Sequence, residues 1–266
     1  MQHAPPDEPP ESPPSETPEQ FRARFIDQLK EDNFVLYFQP IAPASSPHES
    51  NFREILARYR EEEAGLLPPG SFLPILEEQG LLPLLDRWVV SRLLIWGRRL
   101  QASGKRMPHC SVNLSIQTVR EDASFGEYVV KGLERAGVAP ASLTFEILTA
   151  DAHEYAPEIA RFMAPLKAAG VTFALSWFAG EELALTFAPK MGFTYIKLDG
   201  SLIANIAKDT NQQAKLSALL QRCRKAGLRT VCMWVENAET LAHLRALGVD
   251  YVQGFGVARP KPLEGA

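Results

Sequence analysis

The stretch that decides the fold is VLYFQPIAPASSPHESNFREILARY, residues 35–59. It contains two runs rich in β-forming residues, VLYFQPI (35–41) and FREILARY (52–59), which are separated by the ten residues APASSPHESN. Two parallel strands need a crossover of a dozen or more residues, usually with a helix. Ten residues are too few for that crossover, so the sequence predicts that these two strands pair antiparallel.

The rest of the chain alternates short β-like runs with longer amphipathic segments. The further runs are CSVNLS (110–115), LTFEIL (143–148), TFALSWF (172–178), YIKLD (195–199), RTVCMWV (229–235) and DYVQG (250–254). Segments such as PEIARFMAPLKAAG end at a glycine, as helices commonly do. Eight strands alternating with helices predict an α/β fold, a (β/α)₈ TIM-like barrel whose first strand is antiparallel.

Composition sets the domain boundaries. The first 18 residues hold seven of the 21 prolines and almost no large apolar side chain, which predicts a disordered tail over 1–18. The apolar spacing in EQFRARFIDQLKED marks the start of the folded domain at Glu19. We predict a barrel domain over 19–262 and a short C-terminal tail over 263–266.

Charge and cysteine content exclude several classes of partner. The chain has 266 residues, 45% of them hydrophobic, and a formal net charge of −4 with no concentrated basic stripe, so nucleic acid is not expected as a partner. The spacings of Cys110, Cys223 and Cys232 match neither a zinc site nor a disulfide framework. There is no apolar run of 18 residues and no signal-peptide pattern, so we expect no membrane span and a cytoplasmic location.

Polar side chains recur where the predicted strands end. In a barrel of this kind, the chemistry lies at the C-terminal ends of the strands. One such residue alone is typical of a surface or rim position, but recurrence at successive strands predicts a site. These residues are Glu54, Asn113, Glu146, Lys197, Asp199, Glu236 and Gln253.

Several motifs in the same order resemble one family. They are YFQPI (37–41), EILAR (54–58), the segment 68–89 beginning PPGSFLPILEEQGLL, SVNLS (111–115), FEI (145–147), IKLDGS (196–201), the VE at 235–236 and DYVQGF (250–255). Over residues 20–262 the chain resembles the EAL domain family, whose members linearise the bacterial second messenger cyclic di-GMP. The resemblance implies the same barrel, with a small helical lobe at 68–89.

The resemblance also implies a site that departs from the family pattern. Family enzymes use two divalent cations, and Glu54, Asn113 and Glu146 match the oxygen ligands, while Lys197 matches the catalytic lysine. The family's acidic residues are replaced at four positions: Thr149, Ser176, Trp177 and Met233. We therefore expect no complete set of catalytic residues. We also expect no bound metal, with Glu54, Asn113 and Glu146 left as remnant ligands. The chain is then predicted to be an inactive homologue rather than an enzyme.

Nucleotide contacts of the family are retained. Arg58 matches an arginine that holds a phosphate, and Gln39 and Leu56 match residues that contact the guanine and ribose ends. The predicted ligand-binding set is Gln39, Glu54, Leu56, Arg58, Asn113, Phe178, Lys197, Asp199, Glu236 and Gln253. The departures resemble degenerate EAL domains that act as cyclic di-GMP receptors, including regulators of type IV pili.

The resemblance thus implies a cyclic di-GMP receptor that needs no cofactor, with a protein partner in a signalling or type IV pilus pathway. Two alternatives remain open: a nucleotide-blind interaction module and a weak phosphodiesterase with one metal. Trp177 and Trp234 either pack the mouth of the barrel or help to hold a ligand or partner.

Overall fold

A closed barrel of eight strands forms the centre of the molecule, which confirms the predicted fold class. The computed structural model of the chain describes residues 17–61 and 65–265. Its strands are β1 (Phe34–Pro43), β2 (Phe52–Glu61), β3 (Gly65–Leu67), β4 (His109–Asn113), β5 (Leu143–Leu148), β6 (Thr172–Phe178), β7 (Tyr195–Leu198), β8 (Arg229–Cys232), β9 (Tyr251–Val252) and β10 (Lys261–Pro262).

The first barrel strand runs against its neighbours. β1 pairs antiparallel with β2 along residues 34–41 and antiparallel with β9, whereas β2 and β4 to β9 pair parallel in sequence order. The two short strands lie outside the barrel, β3 beside β2 and β10 beside β1. The connection between Pro43 and Phe52 has eight residues, two fewer than the sequence predicts, and it joins the antiparallel pair that the sequence predicts.

Helices cover the outside of the barrel. They are α1 (Pro18–Lys30), α2 (Leu73–Glu78), α3 (Leu82–Ala102), α4 (Ile116–Glu121), α5 (Phe125–Ala136), α6 (Thr149–Glu154), α7 (Ala156–Ala169), α8 (Glu182–Met191), α9 (Thr210–Lys225) and α10 (Ala238–Leu247). The predicted lobe corresponds to α2 and the first part of α3. Over the described residues, no helix is both long and apolar enough to cross a membrane.

Two apolar clusters fill the space on either side of the sheet. Successive side chains of a strand point to opposite faces. One face of the strands packs against the helices in a large core, which includes Phe145 and Phe173. The other face closes the lower end of the barrel with Ile41, Phe52 and Tyr195, so the polar residues above them are confined to the opposite, C-terminal end.

The ends of the chain differ slightly from the predicted boundaries. Thr17 caps α1, which begins at Pro18 and not at Glu19; the remaining sixteen residues of the predicted tail lie outside the described part of the chain. Leu263, assigned by the sequence to a C-terminal tail, is only 5% exposed and its N–H donates to the carbonyl of Leu36. The packed domain therefore extends past residue 262.

Candidate functional site

A cavity of about 280 Å³ opens at the C-terminal ends of the barrel strands. The strand-end residues predicted from the sequence converge there because parallel strands end at one face of a barrel. The lining side chains are Gln39, Glu54, Leu56, Asn113, Glu146, Trp177, Lys197, Met233, Trp234, Glu236, Gln253 and Phe255.

A buried ammonium joins two carboxylates at the floor of this cavity. Lys197 Nζ donates to Glu54 Oε2 at 2.7 Å and to Glu146 Oε1 at 2.8 Å. The lysine is 2% exposed. Ser111 also donates its hydroxyl to Glu146 Oε1. A buried charge is tolerated only when it is paired and hydrogen-bonded, and this cluster meets that condition.

The two carboxylates differ in proton affinity. Burial, followed by the charge of Glu54, raises the pKa of Glu146 to about 7. Burial acts in the same direction on Glu54, but the ammonium of Lys197 and hydrogen bonds from three side chains lower the pKa of Glu54 below its ordinary value. Glu54 therefore holds the stable negative charge, and Glu146 is the group that takes up a proton near neutral pH.

Two amide side chains donate to Glu54, and a third contacts one of them. Asn113 Nδ2 donates to Glu54 Oε1 at 2.8 Å, and Gln253 Nε2 donates to Glu54 Oε2 at 2.7 Å. Gln39 Oε1 accepts from Gln253 Nε2 at 3.2 Å. Gln253 Oε1 is buried and has no hydrogen-bond partner in the described structure. An unpaired buried acceptor is costly, so a donor from a ligand or water would stabilise this wall of the cavity.

Three residues of the predicted binding set lie outside the cavity lining. Arg58 is two residues beyond Leu56 on the same face of β2, which places it at the rim; its guanidinium lies 5.8 Å from the ring centroid of Tyr37. Asp199 accepts from the N–H of Ser201 at 2.8 Å and caps the turn after β7. Phe178, predicted to contact the ligand, is fully buried in the core between sheet and helices and does not line the cavity.

The comparisons with known proteins give the family. The family model described as "EAL domain" matches residues 22–260. This chain belongs to the EAL domain family. The match covers most of the chain and agrees with the resemblance read from the motifs.

Relatives of this EAL domain carry enzyme names. It is 26% identical over 246 residues to "Cyclic di-GMP phosphodiesterase PdeB" of Shewanella oneidensis, covering 92% of this chain and 28% of that protein. It is 30% identical over 236 residues to "Cyclic di-GMP phosphodiesterase NbdA" of Pseudomonas aeruginosa, covering 88% of this chain and 30% of that protein. The chain thus spans less than a third of the length of these curated relatives.

A solved structure shows the same fold with a ligand. The EAL domain aligns with the PaMucR phosphodiesterase in complex with c-di-GMP at a TM-score of 0.82 and 27% identity, covering 92% of this chain and 98% of that one. The sequence-based prediction of a chain that is not an enzyme is contradicted by these comparisons, because the relatives are named phosphodiesterases. The replaced acids do not by themselves establish inactivity.

Two of the replaced positions have structural roles in this EAL domain. The side chain of Ser176 is 1% exposed, and its hydroxyl donates to the carbonyl of Ile147. Thr149 Oγ1 donates to the carbonyl of Ser176 at 2.7 Å. Both bonds tie the end of β5 to the end of β6. The positions at which the family carries acids therefore fix the strand ends here.

The two exposed tryptophans at the mouth have unusual backbone conformations. Trp177 has φ of 56° and Trp234 has φ of 58°, in the left-handed region that L-residues with a Cβ avoid. Their rings meet edge to face, with centroids 5.4 Å apart and planes at 83°. Left-handed conformations cost roughly 1–2 kcal/mol for such residues. No hydrogen bond in the described part of the chain accounts for these two left-handed conformations.

Replacement of Trp177 by glycine is expected to leave the chain about 1 kcal/mol more stable to urea than replacement by alanine, since only glycine adopts positive φ without strain. Both variants lose the same ring, so their difference isolates the backbone effect. Ile95, an exposed residue of α3, is the matched control. There glycine is expected to be about 1 kcal/mol less stable than alanine, because it weakens a helix interior. Equal stability of the two Trp177 variants would contradict the prediction.

Sequence reasoning missed several contributors to the site. Ser111 precedes Asn113 by two residues on β4 and so faces the same interior, a signal that strand alternation could have provided. Phe255 follows the strand-end pair Gln253–Gly254 and is 58% exposed at the cavity.

The donors of the site do not fit the pair of divalent cations that the family resemblance implies. Such cations need several oxygen ligands each. Over the described residues, no three His, Cys, Asp or Glu side chains are grouped so that they could hold a metal. Lys197 already lies within hydrogen-bond distance of both Glu54 and Glu146. That this site binds no metal nevertheless stays a prediction.

Proposed function

We propose that this EAL domain binds cyclic di-GMP in the mouth cavity and acts as a receptor for it. The observation that carries the proposal is the cavity itself, in which a carboxylate floor paired with Lys197 lies beside the unpaired acceptor of Gln253. The solved PaMucR complex supports it, since that related barrel holds c-di-GMP. The predicted protein partner in a signalling or type IV pilus pathway stays a prediction.

The charge pattern of the site suits a nucleotide with two phosphodiesters. Lys197 compensates the two floor carboxylates, which reduces their repulsion toward an anion. Arg58 stands at the rim, where its fork of N–H groups suits a phosphate. Gln253 Oε1 can accept from an N–H of a base or from a bridging water. Half-exposed aromatic rings complete the wall.

Phosphodiester hydrolysis is the second candidate function, favoured by the names of the relatives. The groups of this chain that suit such a reaction are on the cavity floor. A group with a pKa near the working pH is best suited to transfer protons, and the pKa of Glu146 is raised to about 7. Lys197 would stabilise negative charge that develops on the phosphate.

Calorimetric titration with cyclic di-GMP, with and without magnesium, tests the proposal. We expect saturable binding in both buffers, since the contacts named above need no metal, and no comparable heat with GTP as the control nucleotide. Chromatography of the same mixtures measures linear product, and loss of that product in Glu54→Gln would assign it to this site. An absence of binding to cyclic di-GMP would overturn the receptor proposal in favour of a nucleotide-blind interaction module.

A further inference from the structure

Three neighbouring strand ends build an aromatic feature at the mouth of the barrel. Trp177 is the second-last residue of β6, and Trp234 follows the end of β8 by two residues. Between them, Gly200 follows β7, and a Cβ at this glycine would overlap the indole of Trp234. The ring of Trp234 therefore lies directly on the backbone at Gly200. We call the two tryptophans the aromatic corner.

The aromatic corner presents its rings to the cavity rather than to the core. Trp177 is 49% exposed and Trp234 is 55% exposed, and both line the same cavity as Lys197 and Glu54. A tryptophan that only packed the mouth would bury most of its surface. The edge-to-face geometry leaves a ring face of Trp177 uncovered by Trp234, because the planes are nearly perpendicular.

The backbone is strained at both residues in the same way. Outside these two positions, the part of the chain that the structure describes has only Asp32 as a further non-glycine residue with positive φ. Strained conformations persist where the surroundings or a function require them. The bulge at the end of β6 shifts the strand register between Leu175 and Phe178 and turns Trp177 toward the mouth. The bulge at Trp177 and the positive φ of Trp234 thus each direct an indole into the cavity.

The chemistry of the aromatic corner favours a flat, uncharged group. An indole face binds the π-face of a nucleobase, whereas a phosphate gains nothing from it. Glu236, two residues after Trp234, also lines the cavity, and its carboxylate would repel an anion placed over the corner. Arg58, by contrast, lies at the β2 side of the rim. The base of a nucleotide would therefore contact the aromatic corner, and its phosphate would contact the rim at Arg58.

We propose that the aromatic corner is a base-binding subsite, in which Trp177 stacks on one purine base of the ligand and Trp234 contacts the edge of that base. This inference rests on the proposed function, because it assigns one part of the cyclic di-GMP molecule to one part of the cavity. It makes both tryptophans affinity-determining residues, although neither side chain carries a charge.

The test is calorimetric titration of cyclic di-GMP into Trp177→Ala and Trp234→Ala. We expect about tenfold weaker binding for each, since stacking on a base is lost. Trp177→Phe should retain most of the affinity, and Ile95→Ala, an exposed α3 residue outside the cavity, should bind as the unsubstituted chain does. Circular dichroism checks folding, and Trp177→Gly provides a variant without backbone strain.

Tryptophan fluorescence gives an independent readout. The chain has four tryptophans. Trp88 and Trp96 lie on α3, away from the cavity lining. Cyclic di-GMP is expected to quench the emission of the unsubstituted chain but not that of Trp177→Phe/Trp234→Phe.

Unchanged affinity in both alanine variants, with quenching that persists in the double variant, would overturn the subsite and leave the receptor proposal standing. Failure of the unsubstituted chain to bind would overturn both. The two failures are distinguished by the titration of the unsubstituted chain.

Discussion

Replacement of Lys197 by methionine is expected to lower the free energy of unfolding by about 3–5 kcal/mol at neutral pH, because removing one partner of a buried ion pair leaves uncompensated charge. The ammonium is 2% exposed and lies 2.7 Å and 2.8 Å from the oxygens of Glu54 and Glu146. Methionine has a similar length and cannot neutralise either carboxylate. Urea denaturation followed by circular dichroism measures the loss.

The pH dependence of this loss follows from Glu146. Its pKa is raised by burial from 4.5 to about 7, so the folded chain binds a proton that the unfolded chain releases between these values. This contribution to stability is present at low pH and is lost as the pH rises through that window. Without the ammonium of Lys197, which lowers the pKa of Glu146, ionisation becomes more costly still. The deficit of Lys197→Met should therefore be larger at about pH 8 than at about pH 5.

Two variants make the stability prediction sharp. Lys131 pairs with Glu127 on α5, and both side chains are exposed, so Lys131→Met should cost no more than about 1 kcal/mol. Adding Glu54→Gln and Glu146→Gln to Lys197→Met removes the unpaired charges and should recover part of the lost stability. A Lys197→Met chain as stable as Lys131→Met at about pH 8 would show that the floor cluster is not the charged network described above.

The barrel could be predicted from the sequence because its strands carry long apolar signals. The runs 143–148 and 172–178 coincide with β5 and β6. The run 229–235 is longer than β8, which ends at Cys232, because the chain stays apolar after the backbone has left the sheet. The short strands β3 and β10 have three and two residues, too few for any periodic pattern to show.

The site was predicted where strand alternation is regular and missed where it is broken. Glu54, Glu146 and Lys197 were found because a barrel places strand ends together. Phe178 lies in the core and not at the predicted cavity position because the β-bulge after Leu175 changes the face that the following residues present. The exposure of Trp177 has the same origin. No residue pattern in the run 172–178 predicts the bulge. Glycine is the residue usually found at positive φ, and this position carries Trp177 instead.

Replacement of Arg58 by alanine is expected to weaken cyclic di-GMP binding by about tenfold to a hundredfold, the loss of a charge-assisted hydrogen bond of about 1.5–3 kcal/mol. Its side chain extends from the cavity face of β2, beyond Leu56. One N–H group donates to the carbonyl of Ala57 at 2.9 Å, and the ring of Tyr37 lies beside the guanidinium. A guanidinium has five N–H donors, so this anchoring leaves donors for a phosphate.

Arg53 of the same strand is the matched control for this prediction. It precedes Arg58 by five residues, an odd spacing that places its side chain on the opposite face of β2. There its guanidinium packs 4.5 Å from the ring centroid of Phe38. Arg53→Ala therefore removes the same charge without touching the cavity and should leave affinity unchanged. Arg58→Lys should recover only part of the binding, because an ammonium cannot make paired bonds to a phosphate. Equal weakening by Arg53→Ala and Arg58→Ala in calorimetric titrations would mean that net charge, rather than a contact at the rim, attracts the ligand.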